Sequence, residues 1–214
     1  MQIQWLGQSS FKIQTKTSGE EITIAIDPYS DEIGLKMPKF QADIALISHQ
    51  HKDHNNIEAI KGEPFVISNP GEYETKNVFV YGIPAWHDNK EGAERGAVTI
   101  FRIQTEGLNI VHLSDLGSKL NAEQLDKIGN VDILMIPVGG IHTVDGKIAS
   151  EIIAEVEPRI VIPMHYQIPG LEYKLNTVEE FLRVSGLPSE KMDRLKIAKK
   201  DLITEGTKIV ILNP

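Results

Sequence analysis

Between positions 49 and 54 the chain reads His49-Gln50-His51-Lys52-Asp53-His54, three imidazoles and a carboxylate within six residues. Imidazole nitrogen and carboxylate oxygen are donors that suit zinc, manganese or iron, and a chain without cysteine offers no thiolate in their place. The chemistry such a cluster points to is hydrolysis assisted by a bound ion, which acidifies water and polarises the bond under attack. The apolar run Ile44-Ala45-Leu46-Ile47 ahead of it reads as a strand. If the chain leaves that strand extended, side chains 49, 51 and 53 project to one side, so His49 and His51 can share an ion. Asn55 and Asn56 are helix-capping types, and with Ile57 and Ile60 they predict a short helix over about 56–61. The turn into it lets Asp53 and His54 aim at a second ion. Two ions need more donors than this cluster holds.

Those donors must be brought in by other elements. Short strands are predicted over 3–6, 11–15, 21–26, 65–68, 78–85, 98–104 and 108–113, the last two joined as a hairpin by Glu106-Gly107. Beyond residue 120 the pattern alternates: a helix capped by Asn121, a strand over 131–136, a helix capped by Asp145, and a strand over 160–164. A helix opening on the capping-box pair Thr177 and Glu180 and ending at Gly186 follows, then a strand over 208–212. The stretch 29–41 reads as a loop, either a surface connection or a flap over a site. In this scheme His49, His87, Asp115 and His165 each stand just past the end of an apolar strand. Strand ends along one edge of a sheet converge, which is what a metal centre assembled across a sheet requires.

Composition bounds the rest. At 214 residues the chain is read as one domain, 1–214, with ample length to bury a core, and 41% hydrophobic content fits a globular protein. No apolar run approaches membrane-spanning length and the start has no signal-peptide pattern, so the expected location is the cytoplasm. A net charge of −8 argues against broad attraction to nucleic acid. It leaves room for an anionic small-molecule substrate, because two divalent ions outweigh their carboxylate ligands locally. Homo-oligomerisation is left open.

The chain resembles the metallo-β-lactamase fold superfamily, and within it the compact metal-dependent hydrolases similar to ascorbate-6-phosphate lactonase and to the phospholipase D that acts on N-acyl phosphatidylethanolamine. The resemblance spans nearly the whole chain. It rests on Leu6-Gly7-Gln8-Ser9-Ser10-Phe11, Asp27-Pro28, the cluster at 49–54, Pro70-Gly71-Glu72-Tyr73-Glu74 and Pro84-Ala85-Trp86-His87-Asp88. His112-Leu113-Ser114-Asp115-Leu116-Gly117, Pro137-Val138-Gly139-Gly140 and Ile162-Pro163-Met164-His165-Tyr166 complete it. It implies an α/β fold, a four-layer αββα sandwich with the site along one edge of two sheets. It further implies His49, His51 and His87 on one metal, Asp53, His54 and His165 on the other, and Asp115 as the bridge. Two positions depart from the pattern: Gln8 stands where many relatives carry His, and Ser114 where Gly commonly precedes the bridging Asp.

The expected reaction is hydrolysis of an ester-like bond, a lactone or phosphodiester, by hydroxide bridging two divalent ions. Zinc is expected first, with manganese and iron as alternatives. Catalytic roles fall to Asp53, which would orient the hydroxide and carry a proton, and to His142, which would donate a proton to the leaving group or bind substrate. His112, inside an apolar strand, is expected to be a buried, hydrogen-bonded residue, and Asp27 and Asp88 are candidates for fixing imidazole tautomers. A nuclease of the same fold and a scaffold without activity are the alternatives; the chain lacks the basic arm the first needs, and no expected ligand is missing, as the second would predict.

Overall fold

A computed structural model describes residues 1–214. Two sheets carry the fold. The first has six strands in the order Leu195–Lys196, Gln2–Gly7, Ser10–Thr17, Glu20–Ile26, Ile44–Leu46 and Phe65–Ile67. It is antiparallel as far as Glu20–Ile26, and the last two strands join in parallel. The second has eight, in the order Ser189–Met192, Lys208–Leu212, Ile160–Met164, Ile133–Pro137, Leu108–His112, Ala97–Thr105, Val78–Trp86 and Gly71–Thr75.

Residue pattern explains which strand lies where. Ser10–Thr17 and Val78–Trp86 alternate buried with more exposed residues, as strands with one face on the core do. Ile133–Pro137 and Ile160–Met164 are buried at every position, since they run parallel in the middle of the sheet with a second layer on each face. The facing surfaces interlock through contacts such as the edge-on packing of Phe11 against His112 and the 2.7 Å hydrogen bond between Thr15 and Thr105.

The α-helices, Ala122–Ile128, Gly146–Val156 and Val178–Ser185, all belong to the second half of the chain. Asn121 forms a reciprocal capping box with Gln124, and Asp145 accepts from the backbone of Lys147 and Ile148, so both predicted caps are present. Thr177 makes no capping bond, so the helix that follows starts without the box its sequence suggested. Where the parallel strands of the first sheet cross over, single 3-10 turns at Asp31–Ile33 and Ile57–Ala59 stand in for helices. The expected helix at 56–61 is therefore only that turn, because Ile60 and Lys61 instead pair with Phe40 and Gln41 as a two-stranded ribbon. The 29–41 loop is packed down and is no flap: Tyr29, Ile33 and Met37 are buried and the Tyr29 hydroxyl donates to the Leu6 carbonyl at 2.6 Å. No helix is long and apolar enough to cross a membrane.

Several chain reversals at the strand ends use the left-handed region, which costs a residue with a Cβ roughly 1–2 kcal/mol. Gln8, Asp27, Ser114, Ile141 and His165 all sit there, with φ between 44° and 67°. These positions gather along one edge of the two sheets, and that is where the chemistry lies.

Candidate metal centre

Each strand end contributes one piece. Ile44–Leu46 leads to His49, His51, Asp53 and His54; Val78–Trp86 to His87; Leu108–His112 to Asp115; and Ile160–Met164 to His165. Their donor atoms meet in three overlapping groups, His49 with His51 and His87, His49 with His54 and Asp115, and Asp53 with Asp115 and His165, each within 4.8 Å. Asp115 Oδ2 stands at the middle of the arrangement, 3.1 Å from His54 Nε2, 3.3 Å from His165 Nε2 and 3.5 Å from His87 Nε2. His54 belongs to both sides, since its Nε2 is also 3.4 Å from Asp53 Oδ2.

The outward nitrogens of three of these rings are fixed by the fold. Asp27, fully buried, accepts from the Ser48 backbone at 2.7 Å, from the Ser48 hydroxyl at 2.7 Å and from His54 Nδ1 at 3.0 Å. Because the Ser48 hydroxyl donates to Asp27, it can only accept from His49 Nδ1, 2.9 Å away. His87 Nδ1 donates to the His142 carbonyl at 3.1 Å. In the neutral form that binds a cation, all three rings therefore carry their proton on Nδ1 and turn the Nε2 lone pair inward. His49 Nε2 lies 3.1 Å from His51 Nδ1, and the buried His54 Nε2 makes no well-directed hydrogen bond to any group. Lone pairs and carboxylate oxygens that converge in this way repel one another unless positive charge sits among them, so the donor set fits divalent cations.

The carboxylates are held from the turn between the first two strands. Gln8 Nε2 donates to Asp53 Oδ2 at 3.1 Å, and the Ser9 hydroxyl donates to Asp115 Oδ1 at 2.9 Å. The turn itself is braced by Trp5 Nε1 on the Gln8 carbonyl, by His112 Nε2 on the Ser9 carbonyl at 2.9 Å and by the His165 backbone on Gln8. Gln8 was legible only as a departure from a pattern, and Ser9 carried no signal in the sequence beyond lying in that motif. His112 is buried and hydrogen-bonded, as expected. Asp88 touches no imidazole; its oxygens accept from the backbone of Lys90, Gly92, Glu94 and Arg95 and so order the loop behind His87.

Protonation follows the same charges. Burial penalises the charge on Asp53 and Asp115, but the imidazoles around them outweigh that penalty and hold both carboxyls well below the usual range. His54 is the converse: burial disfavours its charge, yet Asp115, Asp53 and Asp27 together push its pKa well above the ordinary value. His49 falls to about 3, chiefly through burial and then through the charge on His54.

The centre opens into a cavity of 410 Å³ lined by His51, Asp53, His87, Asp115 and His165, with Gln50, Lys52, Arg95, His142 and Tyr173 further out. A broader depression of 880 Å³ around Asn130, Arg159 and Thr207 contains none of these donors. All seven histidines of the chain thus end at or directly beneath one site. Tyr166 is a packing residue, stacked at 4.9 Å on Trp5.

Known proteins resemble this chain along most of its length. Residues 2–165 match the model of the beta-lactamase superfamily domain. A UPF0173 metal-dependent hydrolase of Staphylothermus marinus is 28% identical over 99% of this chain and 96% of its own length. A UPF0173 protein of Pyrococcus abyssi is 31% identical over 79% of this chain and 85% of its own. Among solved structures, a Thermotoga maritima protein described as a candidate Zn-dependent hydrolase of the metallo-beta-lactamase superfamily superposes with a TM-score of 0.78 at 29% identity, covering 99% of this chain and 98% of that one. By fold and by kinship, this chain belongs to the metallo-β-lactamase superfamily, among its metal-dependent hydrolases.

Proposed function

We propose that the chain hydrolyses an ester-like bond, a lactone or phosphodiester, in a small molecule, using two divalent metal ions of which zinc is the leading candidate. The observation that carries this reading is the position of Asp115 Oδ2 among three inward-facing imidazole nitrogens at 3.1, 3.3 and 3.5 Å. In this reading His49, His51 and His87 would hold one ion, Asp53, His54 and His165 the other, and Asp115 would serve both. When bound, such a pair supplies Lewis acidity toward water and toward the carbonyl or phosphoryl oxygen of the substrate.

The protein's own groups then have distinct tasks. Asp53 Oδ2 is occupied by Gln8, whereas Oδ1 receives no hydrogen bond from the protein, so Oδ1 is the oxygen that would take a proton from the attacking water and pass it to the leaving group. His142 is held below the usual imidazole range by burial and by the adjacent Arg95 charge, which leaves it neutral near pH 7. It is therefore suited to hydrogen-bonding substrate, the second of the two roles expected from sequence, and poorly suited to act as an acid. Gln8 and Ser9 hold the two carboxylates in place, and the 410 Å³ cavity suits a small molecule.

The test is elemental analysis of protein purified without added metal, beside a hydrolysis panel of lactones, thioesters, bis(p-nitrophenyl) phosphate and single-stranded RNA run on wild type and His51→Ala. Two ions per chain and a turnover that the variant loses by at least a hundredfold are expected. Absence of metal binding on titration, or a variant as active as wild type, would overturn the reading.

A further inference from the structure

The cavity has two cationic side chains at its rim, and they differ in kind. Lys52 is already neutralised, its Nζ lying 2.8 Å from Glu32 Oε2. Arg95 has no carboxylate within 4.0 Å, in a chain where 30 acidic residues face 22 basic ones. Its guanidinium makes a single hydrogen bond in the protein, Nη2 to the neutral His142 Nε2 at 3.3 Å, which leaves most of its five N–H donors without an acceptor.

The backbone beneath it is nevertheless fixed. Asp88 accepts the Arg95 N–H at 2.8 Å and three further N–H groups of the same loop, and the Gly96 carbonyl accepts from the His87 N–H at 3.0 Å, tying the loop to a residue of the centre. A cation anchored so firmly beside a site for cations is unfavourable in itself and gains only when an anion arrives. The same cavity is lined by Tyr173, 37% exposed, whose hydroxyl also has no protein partner. Burial raises the pKa of that phenol, so it stays a donor.

We propose that Arg95, assisted by Tyr173, forms a specificity-determining subsite for an oxyanion of the substrate, a carboxylate or phosphate set apart from the bond that is cleaved. This rests on the hydrolase reading above and narrows its substrate class to anionic molecules. A planar guanidinium with free donors meets two oxygens of such a group at once, whereas His142 Nε2 offers it one neutral acceptor.

The experiment compares mono-(4-nitrophenyl) glutarate with 4-nitrophenyl butyrate, which share a leaving group and differ in distal charge, on wild type, Arg95→Gln and Arg95→Lys, all loaded with zinc and checked for folding by circular dichroism. The ratio of kcat/KM for the charged over the neutral ester is expected to fall on the order of 10- to 100-fold in Arg95→Gln and to recover in part in Arg95→Lys. Binding is read independently by calorimetric titration of the same proteins with glutarate and, separately, with inorganic phosphate; a preference for either names the oxyanion. Should neither these esters nor any member of the panel above turn over while anion affinity still falls in Arg95→Gln, the hydrolase reading is lost and the subsite stands. An unchanged ratio, or unchanged anion affinity where nothing turns over, overturns the proposal.

Discussion

Replacing Asp27 by Asn exchanges one buried oxygen for an amide nitrogen and should move the ring proton of two imidazoles of the site. Asp27 Oδ1 accepts from the Ser48 backbone and Oδ2 from both the Ser48 hydroxyl and His54 Nδ1, at 2.7, 2.7 and 3.0 Å. An amide keeps one acceptor. If its oxygen stays on the Ser48 N–H, its NH2 faces His54 Nδ1, which must then accept and move its proton to Nε2, the nitrogen aimed at Asp115. The NH2 also donates to the Ser48 hydroxyl, which turns to donate to His49 Nδ1 and moves that ring's proton inward as well. The other orientation sets NH2 against the Ser48 N–H and strands a buried donor, at a cost of about 1–3 kcal/mol. In the first orientation the metal must compete with misplaced protons, whereas the second keeps the tautomers and loses stability instead; loss of a group that orients a ligand in this manner typically weakens metal binding about 10- to 100-fold, or about 1.4–2.7 kcal/mol. Competition with a chromophoric chelator measures the affinity, and nitrogen NMR of the imidazoles reads the tautomers directly. A variant that binds zinc within about threefold of wild type, with His54 still protonated on Nδ1, would refute the reasoning.

Three further outcomes follow from the same structure. Gly139→Ala would place a Cβ 2.1 Å from the His165 carbonyl oxygen, so it should cost about 3 kcal/mol or more and lower the melting temperature, while a surface glycine such as Gly19, with nothing within 4 Å, gives no such clash. Ile141→Gly should stabilise the fold by about 1–2 kcal/mol in denaturant titration, because Ile141 holds φ 67° with its side chain 67% exposed and so has strain to lose and little packing. The chelated protein should have a stability maximum near pH 6.5. Asp53 and Asp115 are depressed in the folded state, so their contribution is present above their unfolded values near 3.8 and is lost as pH falls below them. His49, depressed from 6.5 to about 3, adds stability as pH rises through that interval. His54 is raised, so its contribution is full below 6.5 and is lost as pH climbs through its folded pKa; added zinc should abolish this alkaline loss, and thermal melts across pH 3–10 with and without chelator check both limbs.

Legibility in the sequence followed the strength of local pattern. Asp145 and the hairpin at Glu106-Gly107 were readable because each is a local device, a side chain reaching its own helix start and a turn joining adjacent strands. Gly71–Thr75 and Ser189–Met192 were not, since these polar edge strands have no buried alternation of their own and exist by pairing with Val78–Trp86 and Lys208–Leu212. Thr177 had the letters of a cap without the bond. Asp88 was a candidate partner for an imidazole, whereas successive residues of an extended chain face opposite ways and its carboxylate, next to His87, turned to the loop.

The sequence alone determined which atoms are available for chemistry: imidazoles and carboxylates at the ends of apolar strands, and no thiolate. Which nitrogen of each ring faces the centre was decided only by tertiary structure, because that depends on Asp27 meeting Ser48 and His54 from a neighbouring strand, and on the His142 carbonyl reaching His87 across 55 residues of chain. The same holds for Arg95, which the sequence left between a clamp for an anionic group and a solvated cation in a Gly- and charge-rich loop. What sets it apart is the absence of a nearby carboxylate, a relation between distant segments that no local pattern encodes.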